Sequence, residues 1–86
     1  MPKISEFLGI SIYIYYREHQ PPHFHAIYGD DEALVSIDTL SLLEGKLSPR
    51  VMGLVVEWAS MHRDELRQDW AFAVAKQPLA WIEPLH

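Results

Sequence analysis

Three of the chain's five histidines stand within seven residues, His19-Gln20-Pro21-Pro22-His23-Phe24-His25. Imidazole nitrogen is a ligand for divalent transition metals, which makes Zn, Ni, Mn or Fe the candidate cofactor. His23 and His25 are the first candidate ligands, and His19 can fold back toward them across the prolines. Two ligands do not make a site, so a third must come from His19, Glu18 or Asp30. The same imidazoles suit a second chemistry, general acid–base catalysis on RNA, with Arg17 or Tyr15 holding a phosphate. A plainer reading needs no chemistry: the histidines satisfy hydrogen bonds at the end of a Pro-Pro turn and line an oligomer or partner interface.

The flanking residues set how these side chains are presented. Each proline ring fixes φ near about −65° and pushes the preceding residue toward extended backbone. From His23 the chain alternates as a strand does, with His23, His25 and Ile27 on one side and Phe24, Ala26 and Tyr28 on the other. Strand rise separates the His23 and His25 Cα atoms by about 6.5 to 7 Å. Ile10 to Tyr16 is the clearest strand, rich in β-branched and aromatic residues. Its isoleucines, Ile10, Ile12 and Ile14, form the expected core face, which turns Tyr13 and Tyr15 the other way. With Phe24, Ala26 and Tyr28 as the core set of the next strand, Tyr13, Tyr15, His23 and His25 share the outward face. Such a surface is poor in charge and rich in hydrogen-bonding aromatics, the composition of an interface core.

The remaining elements supply the frame. Lys3 to Leu8 is a short β segment that Gly9 ends. Tyr28-Gly29-Asp30-Asp31 is a hairpin turn, and Asp30-Asp31-Glu32 is its solvated tip. Ala33 to Asp38 is a further strand with Ala33, Val35 and Ile37 inward, and Ser41 to Leu43 a short last one before the turn Glu44-Gly45-Lys46. Ser48-Pro49 then starts a helix, with Ser as N-cap and Pro at the first helical position. Apolar residues recur from Val51 through Val55, Trp58, Leu66 and Trp70 to Val74 at three- and four-residue steps. His62 falls on that stripe as a core-edge residue. The pattern gives either one helix of about 40 Å or a helix bent between Met61 and Asp64, stopped at Gln77-Pro78. The apolar tail Leu79 to Leu85 should dock on the body, and Trp58, Trp70 and Trp81 are expected as core anchors. The expected fold is α+β: an antiparallel sheet of four or five short strands packed on one long or bent C-terminal helix, in two layers.

Composition narrows the function classes. A chain of 86 residues, 49% hydrophobic and 22% charged, is expected to fold as one domain spanning residues 1–86. The absence of cysteine removes disulfides and thiolate metal sites. Apolar runs stay short of the roughly 18 residues of a membrane span, so no membrane is expected and the cytoplasm is the expected compartment. The net charge of −5 disfavours RNA as a partner. It is concentrated in residues 29–47, where Asp30, Asp31, Glu32, Asp38 and Glu44 face only Lys46.

Taken together, Met1-Pro2-Lys3-Ile4, Ile12-Tyr13-Ile14-Tyr15, the histidine block, Tyr28-Gly29-Asp30, Leu43-Glu44-Gly45-Lys46-Leu47-Ser48-Pro49-Arg50 and Val56-Glu57-Trp58-Ala59 resemble one bacterial family. It is the domain of unknown function numbered four-one-six-zero, and the resemblance spans nearly the whole chain. The resemblance implies no established activity. It implies a frequent gene neighbour, another small domain of unknown function, in an arrangement that suggests toxin–antitoxin pairs. The positions it carries over are His19, Pro21, Pro22, His23 and His25, with no chemical role attached. The expected function is therefore binding of a protein partner or a second copy through the histidine-bearing sheet face. The alternative is a small enzyme centred on His19, His23 and His25, either a metal-dependent hydrolase or a histidine acid–base ribonuclease.

Overall fold

The computed structural model describes residues 2–86; Met1, which opens the resemblance, lies outside them. Five strands come first: β1 (Lys3–Phe7), β2 (Ile10–Tyr13), β3 (His23–Tyr28), β4 (Asp31–Ser36) and β5 (Leu42–Gly45). They pair antiparallel in chain order, β1-β2-β3-β4-β5. Two helices follow, α1 (Pro49–Met61) and α2 (Arg63–Val74). The α+β class and the antiparallel sheet are as expected.

The meander is closed by tight turns. Gly29 joins β3 to β4 at φ +60°, in the left-handed region that a hairpin turn of this length demands. Gly45 sits at φ +81° beside a register shift in the β4–β5 pairing, and a Cβ there would collide with the Glu32 carbonyl oxygen. Glycine at this point lets β5 close on β4, with Lys46 N–H donating to that carbonyl at 3.0 Å. The close approach pins the backbone of Glu32.

One sheet face is apolar by simple alternation. Ile10, Ile12, Ile14, Phe24, Ala26, Ala33, Val35 and Ile37 are all fully buried. The helices supply Val51, Val55, Trp58, Ala59 and Leu66 to the same core. Trp58 is its centre, with its ring 5.3 Å from Phe7 and 5.9 Å from Phe24. Its indole N–H donates to the Glu83 carbonyl at 2.9 Å, so no polar atom is stranded there. Removing such a ring costs about 3–5 kcal/mol.

The helical region breaks at His62, so it is two helices and not one. Ser48 caps α1 by accepting from Val51 N–H at 3.3 Å, as its sequence indicates. At His62 the backbone leaves helical geometry (φ −128°, ψ 25°), and α2 restarts with Asp64 and Glu65 in its first turn, where the helix dipole favours them. A six-residue strand spans about 20 Å, and an unbroken helix over these residues would overrun it by a factor of about two. The break returns α2 to the sheet and carries Trp70 to the end of β3.

Three expectations need correction. β2 ends at Tyr13, so Tyr15 and Tyr16 lie beyond the strand. Tyr28 is 39% exposed, at the end of β3 next to the hairpin turn. Trp81 is 57% exposed; the tail docks through Ile82 and through the Ile82 N–H to Ile4 carbonyl bond of 2.8 Å.

Candidate metal centre

On the face of β3 opposite Phe24, His23 and His25 point the same way, as strand alternation requires. Both are buried, with 5% and 9% exposure. They do not form an open surface, because two other segments cover them. After Tyr13 the chain leaves the sheet, bends at Tyr16 and Arg17, and brings the Glu18 carboxylate against both rings. From the other side Trp70 of α2 places its ring 5.3 Å from that of His23.

The ring nitrogens fix the chemistry. His23 Nδ1 lies 2.8 Å from the Pro21 carbonyl oxygen. A carbonyl only accepts, so Nδ1 carries the proton and the neutral ring presents a lone pair at Nε2. That Nε2 is buried and has no hydrogen-bond partner; it faces Glu18 Oε2 at 3.3 Å. With a neutral His23 ring, two acceptors oppose each other out of contact with water. His25 has a carboxylate at each nitrogen: Glu32 Oε2 at 2.8 Å from Nδ1, and Glu18 Oε1 hydrogen-bonded to Nε2. A neutral ring has one N–H and satisfies one of these at a time.

A cation among these groups resolves both conflicts. Donor atoms of Glu18, His23 and His25 lie within 4.8 Å of one another. Ligands of a tetrahedral ion at about 2.0–2.1 Å stand about 3.3 Å apart, a separation that Glu18 Oε2 and His23 Nε2 already have. Two imidazoles and one carboxylate form a donor set used by zinc and by non-haem iron. The outer partners are also in place. The Pro21 carbonyl and the Glu32 carboxylate each hold an Nδ1–H, which fixes the tautomer and aims Nε2 inward.

Aromatic rings pack around the cluster. Tyr15 meets the His25 ring edge-on at 4.5 Å, and Tyr13 stacks on Tyr15 at 5.9 Å. Burial, and then the nearby Glu32 carboxylate, hold the Tyr15 phenol above its ordinary pKa, so it remains an O–H donor. Beside the cluster is a cleft of about 300 Å³ that Glu18 and His23 both line. Its lining is completed by His19, Gln20, Pro21, Leu34, Leu43 and Glu44.

The four residues expected on one face, Tyr13, Tyr15, His23 and His25, do meet as a chain of ring contacts. Of the three proposed sources for a third ligand, the fold supplies Glu18. His19 is exposed and lines the cleft outside the ligand cluster, and Asp30 sits in the exposed turn. Arg17 is exposed at the bend, also outside the cluster. Glu32, read as part of a solvated tip, instead holds His25. The register pairs Ile27 with Glu32 and His25 with Leu34, so Glu32 lies diagonal to His25 on the same face; a hairpin register drawn from the Gly29-Asp30 turn would have shown it. No sequence signal marked Trp70 as a neighbour of His23.

A family model described as "Domain of unknown function (DUF4160)" matches residues 9–71. The matched span contains the whole histidine block, Glu18 and Glu32, and leaves out the opening Met1-Pro2-Lys3-Ile4 and the tail. No curated protein and no solved structure matches the chain.

Proposed function

We infer that this chain, which belongs to the DUF4160 family of unknown function, is a metal-binding domain whose Glu18, His23 and His25 hold one divalent transition ion. The observation that carries this reading is the convergence of the buried, unpaired His23 Nε2 and the His25 Nε2 on one carboxylate, Glu18, with all three donor atoms within 4.8 Å of one another. Three protein donors leave at least one coordination position free, the pattern of catalytic and not of structural zinc sites. A bound ion would polarise a ligand or water at that position. The test is the visible absorption of Co²⁺ added to chelator-treated protein. One equivalent should give the intense bands of a low-coordinate nitrogen–oxygen site, and His23→Ala and Glu18→Gln should lose them. A wild-type spectrum no different from aqueous Co²⁺ contradicts the reading.

Partner binding of the toxin–antitoxin type has a separate support. β5 is the outer strand of the sheet, and its Leu42 and Leu43 are 47% and 41% exposed. A partner strand added to that edge would cover them. Light scattering of the chain with its gene neighbour's product should then show a complex that Leu43→Lys weakens, and separate species would count against it.

A further inference from the structure

The cleft beside the cluster has a composition that selects its occupant. Glu18 and His23, two of the three proposed donors, line it, so a ligand in the cleft stands beside an ion held by them. Its walls include the apolar Pro21, Leu34 and Leu43 and one further carboxylate, Glu44. No lysine or arginine lines it among the described residues. A phosphate or other dianion is ordinarily held by guanidinium, ammonium or clustered backbone N–H groups. Here a dianion would meet Glu44 in the cleft, with Glu18 and Glu32 already offsetting the charge of the ion. A neutral carbonyl group meets no such opposition. Its oxygen can take the open position, the His19 imidazole and Gln20 amide in the lining can hydrogen-bond its flank, and Leu34 and Leu43 can cover its apolar part. The volume of about 300 Å³ is at the small end for ligand pockets.

We propose that the Glu18–His23–His25 centre takes a small ligand whose metal-binding end is a carbonyl oxygen bearing at most one negative charge, of the amide, ester or hydroxamate class (the last bound as its monoanion), and excludes phosphates. This rests on the metal reading above. It sets the site apart from ribonuclease chemistry, since Arg17, the cation expected to hold a phosphate, does not line the cleft.

The experiment follows the Co²⁺ bands of the loaded full chain during titration with acetohydroxamate and, separately, inorganic phosphate. Acetohydroxamate should shift the bands of the wild type, and phosphate should not. Leu43→Trp, which fills the cleft from an exposed position, should keep the Co²⁺ bands and weaken acetohydroxamate by about tenfold or more, the loss of a well-fitted contact. Glu44→Lys should admit phosphate with a gain of about tenfold or more. Phosphate binding by the wild type at least as tight as acetohydroxamate overturns the proposal, and so does a Leu43→Trp variant that binds acetohydroxamate like the wild type. If the wild type shows no Co²⁺ bands, the metal reading falls and this one with it; if the bands appear and phosphate wins, only the ligand class is wrong.

Discussion

Four buried side-chain atoms are left unpaired among the described residues, on Ser5, His23, Arg63 and Asp69, and two of these residues, Asp69 and His23, are resolved differently. Asp69 of α2 is 1% exposed; its Oδ1 accepts from Ala80 N–H at 2.8 Å, and its Oδ2 has no partner. His23 of β3 is 5% exposed, its Nδ1 donates to Pro21, and its Nε2 has no partner. Burial raises the Asp69 pKa, against the lowering effect of the Ala80 bond, and the Glu65 charge adds to the rise. A proton on Asp69 removes the buried charge, and among the described residues no other titratable donor converges on the group. At His23 the unpaired atom is already opposed by a carboxylate, and His25 beside it has a carboxylate at each nitrogen. A metal ion satisfies all of these groups together. An unpaired atom alone does not mark a metal centre; the metal reading proposed for His23 rests on its convergence with the donors of Glu18 and His25.

The largest expected effect is on stability. Zn²⁺ at a hundred times its dissociation constant should stabilise the fold by about 2.7 kcal/mol, a rise of about 10–20 °C in Tm for a domain of this size. Thermal unfolding should show that rise in the wild type and in Asp69→Asn, and not in His23→Ala. A Zn²⁺ response that survives His23→Ala would put the ion elsewhere.

Next is the outer support of His25. Glu32→Gln should weaken metal affinity by about tenfold to a hundredfold, the usual effect of losing such a partner. Competition with a coloured chelator would measure it, and unchanged affinity would make the Glu32 contact incidental.

Smaller is the pH response of Asp69. Its native pKa is raised, so the native state binds the proton more tightly than the unfolded chain, and the slope of stability with pH is negative in that window. The contribution is fully present below the ordinary value of 3.8 and is lost as pH rises through the raised native value. Asp69→Asn keeps an oxygen for Ala80 N–H and removes the titration. Urea unfolding across the acid range should show the mutant losing less stability than the wild type as pH rises; parallel curves would contradict the assignment.

Smallest is Tyr15→Phe. It keeps the edge contact with His25, worth about 0.5–1.5 kcal/mol, and removes only the hydroxyl. Zn²⁺ affinity should stay within about twofold, below the scale at which a ligand or its direct support acts. A larger loss would place Tyr15 among the groups that hold the ion.

Much of this arrangement was legible in the sequence because it depends on short periods. Alternation alone put His23 and His25 on one side and Phe24 on the other. The same rule buried Ile10 and Ile12 and turned Tyr13 to the other face, whereas Tyr15 reaches His25 from beyond the end of β2. What alternation cannot show is where a chain goes after leaving a strand. Glu18 was one of three candidates for the third ligand, and the bend at Tyr16 and Arg17 selected it over His19. Glu32 was hidden for another reason: its partner stands seven residues away across a hairpin, and its charged neighbours Asp30 and Asp31 made it look like a solvated tip. Trp70 reaches His23 only because the helix breaks at His62, which the apolar stripe allowed without requiring. Trp81 shows the opposite error, since a large aromatic near the end of the chain was read as an anchor when Ile82 next to it performs that role.

Isothermal titration of Zn²⁺ into chelator-treated protein, beside His23→Ala under the same conditions, tests the central claim most directly. The account predicts one site of micromolar or tighter affinity in the wild type and no measurable heat of binding in the variant. A wild type that takes up no Zn²⁺, or a variant that binds it equally well, would contradict the assignment of Glu18, His23 and His25 as a metal centre.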